Sequence, residues 1–288
     1  MTELIRIFFE TSVVLGTAQD MLLETPEILT YVQRKYLEKP DRFFESRCLL
    51  EKINELQKRR TIDIEPFVSP KVKEEVRNLV MDHRAMNDRI LKPLKIEEEI
   101  KKMNPVDLKL FEFLIYRIFI VKLPILTFQL IDQYSSRAVD DSECESIRDD
   151  VFFKVYQPLI PRFKYLYQKF VLAGLSKKEQ REDFDFDEWE ALCLILRSFK
   201  HPDTLNFKNY KKIVDLHILA EAIYSYRKMK KELGYAPDFY FVSNDTIFIP
   251  LITPTHRVRD ETVPRPIEHF FEIKVVRPRD LLEILNNL

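Results

Sequence analysis

Between Lys211 and Leu233 the apolar residues recur at helical spacing. At about 100° per residue, Ile218, Leu219, Ala222, Ile223 and Tyr226 share one broad side of a helix. His217, Glu221, Lys228 and Glu232 mark its polar side. Asp215 falls on the apolar side. A carboxylate there has to be paired, capping or functional, because an unpaired buried charge costs too much. Gly234 and Pro237 form the usual stop pair. Phe239-Tyr240-Phe241-Val242 is then a short, continuous apolar run, the pattern of a strand covered on both faces. It ends in Ser243-Asn244-Asp245. Ligands of open α/β sheets sit outside the carboxyl ends of strands, so Asp245 stands where chemistry is expected. At the other end of the chain, Ile5–Phe9 reads as a second such strand and ends in Glu10-Thr11-Ser12.

The remaining pattern is mostly helical. Ala18–Lys35 has helical spacing through Met21, Leu22, Ile28, Leu29 and Val32. A second helix starts at Pro40-Asp41 and closes on Lys58-Arg59-Arg60, positive charge that suits a helix C-terminus. Ile62-Asp63-Ile64 is a short strand. Ser69-Pro70 opens a helix, Ser as cap and Pro in the first turn. On that helix Val72, Val76, Leu79 and Val80 fix the buried face. Glu75 lies at its edge and Glu74 points roughly opposite, so Glu75 is the one that can enter a site. From Leu91 to Leu205 no strand–turn–helix alternation is visible, which predicts a helical insertion. Within it, Glu182–Asp187 lacks the Gly of a calcium loop, and Asp187 with Glu190 fits a capping box. Phe271–Val276 reads as a last strand, and Pro278-Arg279-Asp280 opens a short closing helix, Leu281–Leu285.

Composition narrows the function classes. The chain has 288 residues, 45% of them hydrophobic, enough for a sizeable core. Its formal net charge of −1 means that any nucleic-acid contact has to use a local patch. The Pro-rich loop Pro250–Pro266 supplies one candidate patch, His256, Arg257, Arg259 and Arg265, just after Asp245. The alternative is that these cations pair with Asp260, Glu261 and Glu268. Three isolated cysteines, Cys48, Cys144 and Cys193, argue for a reducing compartment and against a zinc site, and the expected location is cytoplasmic. Leu108–Ile131 is rich in Phe, Ile and Leu. It also holds Glu112, Arg117, Lys122 and Pro124, and each mid-span charge costs about 2.5–3.5 kcal/mol on insertion. A buried helix pair broken near Pro124, or a homodimer surface, is expected there, and no membrane span.

Five stretches, taken in order, resemble a PIN domain, a family of metal-dependent nucleases. They are Phe9-Glu10-Thr11-Ser12, the Ser69-Pro70 helix with Glu75-Val76, the Asp215–Ala222 helix start, Ser243-Asn244-Asp245, and Val275–Pro278 with Leu281-Leu282. The resemblance covers Met1–Arg89 and Lys211–Leu288. It implies an α/β fold with a PIN-like parallel sheet flanked by helices. The PIN-like parts are then residues 1–90 and 211–288, around a helical insertion at 91–210. It further implies that Glu10, Glu75, Asp215 and Asp245 form an acidic cluster that binds Mg²⁺ or Mn²⁺ and hydrolyses RNA, with DNA second. Thr11, Ser243 and Asn244 are the implied supporting partners of that cluster. Glu10 departs from the family, which usually has Asp there. Two other readings stand beside a ribonuclease. One is a degenerate PIN domain that binds RNA or a protein without cutting; the other is a plain α/β fold whose acids are caps.

Overall fold

The computed structural model describes residues 4–24, 41–59, 62–82, 104–106, 109, 113, 120–136, 138–157, 214–245 and 266–288. The described elements, in chain order, begin with β1 (Leu4–Phe9), α1 (Thr11–Leu23), α2 (Asp41–Arg59), β2 (Asp63–Val68) and α3 (Pro70–Met81). Then come α4 (Leu123–Gln133), β3 (Ser135–Ser136), α5 (Asp141–Val151) and a π-helical turn (Phe152–Tyr156). The chain closes with α6 (Val214–Leu233), β4 (Asp238–Val242), α7 (Pro266–Phe271), β5 (Lys274–Val276) and α8 (Pro278–Asn286). The strands follow the order β3-β2-β1-β4-β5, an α/β architecture. β1 and β2 pair in parallel from Leu4 opposite Asp63 to Phe8 opposite Phe67, and β2 pairs in parallel with β3.

Residue contacts divide the chain into two compact units. The first comprises Met1–Arg137, Val242–Asn244 and Arg277–Leu288. Its centre is β1, where Ile7, Phe8 and Phe9 are wholly buried. Phe8 meets Phe67 of β2 edge-on at 5.4 Å, and Phe9 meets Tyr134 at 5.2 Å. Such pairs add about 0.5–1.5 kcal/mol beyond their buried area. α1 packs against α2, α3 and α4, and α8 packs against α2. α3 forms as the pattern predicts: Ser69 accepts from Val72 N–H at 3.2 Å, Pro70 occupies the first turn, and Val72, Val76 and Val80 are buried. α4 falls in the apolar stretch expected to be covered. Pro124 lies in its first turn, and Leu123, Leu130 and Ile131 are buried.

The second unit comprises Ala138–Phe241 and Asp245–Val276. α5 packs along α6, and α7 touches the π-helical turn. Tyr226 of α6 meets Phe239 of β4 edge-on at 5.6 Å, and its hydroxyl donates to Glu272 at 2.9 Å. Lys230 also pairs with Glu272. Gly234 ends α6 with φ +76°, a conformation that L side chains rarely adopt.

Four expectations need correction. The first helix begins at Thr11, not Ala18, because the strand passes into it with no loop. Glu221 is 2% exposed, although helical phase puts it on the polar side, because α5 covers that side of α6. The middle of the chain is not strand-free, since Ser135 and Ser136 extend the sheet beside β2. Phe271 and Glu272 do not begin the last strand. Phe271 ends α7, Glu272 takes φ +61°, and the strand is only Lys274–Val276. No helix among the described residues is long and apolar enough to cross a membrane. Residues 83–103, 158–213 and 246–265 lie outside the described residues. The Glu182–Asp187 capping box and the Ile247–Ile249 strand extension fall there.

Candidate metal centre

The strand β1 ends at Phe9, and Glu10 follows with extended φ −79°, ψ 162°. Its N–H donates to the carbonyl of Val242 at 3.1 Å, which pins the first residue after β1 to the end of β4. Helix α1 starts on the next residue, so its first N–H groups need acceptors. Glu10 provides one. Its side chain folds back, and Oε2 accepts from Ser12 N–H at 2.9 Å and from the Ser12 hydroxyl. The Ser243 hydroxyl donates to the same oxygen at 2.9 Å. A carboxylate that is 2% exposed is thus held as an acceptor by at least three donors, the condition for keeping a buried charge.

The support extends outward. Ser12 Oγ accepts from Asn244 N–H at 2.9 Å, and the Asn244 side-chain amide donates to Ser46 Oγ of α2 at 2.8 Å. Gly16 makes room for this bond. A Cβ there would lie 3.2 Å from the Phe43 ring, 3.4 Å from Ser46 Oγ and 3.8 Å from the Asn244 amide nitrogen. Thr11, the first residue of α1, donates its hydroxyl to Glu75 Oε2 at 2.6 Å. Glu75 is half-buried on α3, whereas Glu74 is exposed and pairs with Lys71 at 2.8 Å. The helical phase therefore chose correctly between the two acids.

Within the first unit, Glu10 and Glu75 each offer a carboxylate oxygen, and these oxygens lie within 4.8 Å of one another. Glu10 is buried, and Glu75 and Asp215 are half-buried. Asp215 sits in the first turn of α6, where the helix dipole favours a negative charge. Adjacent ligands of an octahedral Mg²⁺, bound at about 2.0–2.1 Å, stand about 3 Å apart and opposite ones about 4 Å. The all-oxygen donor set suits a hard divalent cation, so Glu10 and Glu75 could contribute ligands to a metal ion.

Asp245 is half-buried directly after Asn244 and belongs to the second unit. His217 belongs to the second unit as well. Its Nε2 lies 3.6 Å from Glu221, one turn along α6. His256, Arg257, Arg259 and Arg265 lie outside the described residues. Thr11, Ser243 and Asn244 each make hydrogen bonds within the network around Glu10 and Glu75. The sequence assigned no role to Ser12 or Ser46. Ser12 was visible in the strand-end motif. Ser46 carried no signal, since it meets Asn244 across 198 residues of chain.

No protein-family model matches this chain, and neither the curated proteins nor the solved structures contain a match to it.

Proposed function

We propose that the protein is a PIN-type, Mg²⁺- or Mn²⁺-dependent phosphodiesterase whose substrate is RNA. The observation that supports it is the braced carboxylate pair Glu10–Glu75, whose oxygens lie within 4.8 Å of one another. These acids come from two separate stretches of chain, and a scaffold has little use for gathering them. Their mutual repulsion is tolerable only if a cation or protons offset it. Glu10 and Glu75 would hold the ion, and Asp215 and Asp245 are the further acids that the resemblance to PIN domains implies. A bound Mg²⁺ or Mn²⁺ supplies an acidified water and neutralises charge at the leaving oxygen. The chain's own contribution is to fix the carboxylates. Ser12 and Ser243 set the direction of Glu10, and Thr11 sets that of Glu75.

One observation favours a non-cutting relative of the same fold. Glu10 uses Oε2 to cap α1, so part of its acceptor capacity serves the helix rather than a ligand. The two readings separate in one experiment. Thermal melts with excess Mn²⁺ are expected to rise for the wild type and not for Asp215→Asn, because a ligand of the folded state alone stabilises it by mass action. Cleavage of generic single-stranded RNA is then measured in the same buffers. A metal shift with cleavage supports the nuclease, and a metal shift without cleavage supports the binding module. An equal shift in Asp215→Asn removes the metal site from these residues.

A further inference from the structure

The second unit carries a cavity of about 580 Å³. Its size falls within the range of small-molecule sites, about 300–1,000 Å³. Its walls are Tyr224, Arg227, Lys228, Lys231 and Glu232 of α6, with Glu143 from the first turn of α5. Tyr224, Arg227, Lys228 and Lys231 stand at i, i+3, i+4 and i+7, so one helix face presents them together. Arg227, Lys228 and Lys231 are exposed, and none of the three is in a salt bridge among the described residues; Lys230, between them in sequence, is taken by Glu272. The Arg227 guanidinium also rests 5.9 Å from the centre of the Phe271 ring, which limits its freedom.

We propose that this cavity binds a nucleoside phosphate. The lining divides as such a ligand requires. Arg227 presents a fork that fits phosphate oxygens, and Lys228 and Lys231 add point charges. Tyr224 offers a ring on which a base stacks, and it is half-buried, so its orientation is constrained. Glu143 and Glu232 are acceptors, the groups that take hydrogen bonds from ribose hydroxyls or a base amino group. Other ligand classes leave part of the lining unused. A metal cation meets three positive side chains. An apolar molecule desolvates those cations without pairing them. Inorganic phosphate uses neither the ring nor the acids. The nucleotide has two sources, a free mononucleotide or the phosphorylated end of an RNA strand.

Calorimetric titration of the full chain in chelator, so that no cleavage occurs, tests the proposal. The probes are 5′-AMP, adenosine, inorganic phosphate and a 5′-phosphorylated hexaribonucleotide. The nucleotide is expected to bind saturably with a dissociation constant on the order of 10–500 μM, and adenosine and phosphate about tenfold or more weakly. Arg227→Ala with Lys231→Ala, both at exposed positions, is expected to weaken binding about tenfold or more. Tyr224→Leu is expected to weaken the nucleotide and leave phosphate alone. Binding of the hexanucleotide tighter than 5′-AMP names a strand end as the source; equal binding names the free nucleotide. No saturable binding of either at millimolar concentration overturns the proposal, and so does nucleotide binding unchanged in the double variant. Phosphate bound as tightly as 5′-AMP overturns the nucleoside part. The Mn²⁺ response of the carboxylates is read separately, so either conclusion can fail alone.

Discussion

Ser243→Ala tests the way the buried acid is held. Ser243 is 1% exposed and donates to Glu10 Oε2 at 2.9 Å. A hydrogen bond to a charged group contributes about 1.5–3 kcal/mol. Ser12 still supplies two donors to the same oxygen, so the loss falls at the lower end, about 1.5 kcal/mol. Alanine removes only one oxygen atom, which leaves almost no cavity term to add. For a chain of this size that corresponds to a melting temperature lower by about 3–5 °C. Removing a partner that orients a ligating carboxylate also lowers metal affinity about 10–100-fold. The assay is denaturant unfolding in chelator, followed by melting curves across a Mn²⁺ series. The control is a double-mutant cycle with Glu10→Gln, which isolates the pairwise contribution from any other contact of Ser243. The reasoning fails if Ser243→Ala costs less than about 0.5 kcal/mol in chelator, below the net value of an ordinary hydrogen bond. It also fails if the cost is undiminished in the Glu10→Gln background.

Three further outcomes follow from the structure. Burial, with Glu221 as the next cause, pushes the Cys144 thiol up to about 12, whereas Cys48 is partly exposed. Cys48 is therefore expected to be alkylated well before Cys144 at pH 8, read by peptide mass mapping, with Cys144 modified only after unfolding. The sign for stability is that the folded state keeps this proton when the unfolded chain has lost it. Stability is accordingly expected to fall as pH rises from about 9 towards 12, and less so in Cys144→Ala. Gly234→Ala places a Cβ at φ +76° in open space, so the cost is backbone strain alone, about 1–2 kcal/mol, read as a lower melting temperature; no change would place the end of α6 outside the cooperative core.

The local elements were legible because their causes are local. The alternation of Val72, Val76 and Val80 with polar neighbours fixed the phase of α3, and the phase chose Glu75 over Glu74. A largely apolar run marked β1 and a continuous one marked β4, and both strands are found within a residue of the expected limits. Small polar residues beside the strand ends marked where the acids gather. The last strand was misjudged because Phe271 and Ile273, both buried, fit a strand period as well as the end of a helix followed by a turn.

The sequence by itself determined the secondary structure around the site, the strands that carry it, and the two acids, Glu10 and Glu75, that the first unit brings together. Periodicity and capping act over a few residues, and those are printed in the chain. Tertiary structure decided what depends on a second surface. Helical phase turned Glu221 outward, but the phase of α6 says nothing about α5, which covers that side and buries it. The role of Glu10 as both helix cap and site acid needed the strand to run into α1 without a loop, and needed Ser243 to arrive from 233 residues away. Ser46 and Gly16 entered the same network only because α2 packs on α1 at that point. Hydrogen bonds between distant segments have no spacing rule, so no pattern along the chain announces them.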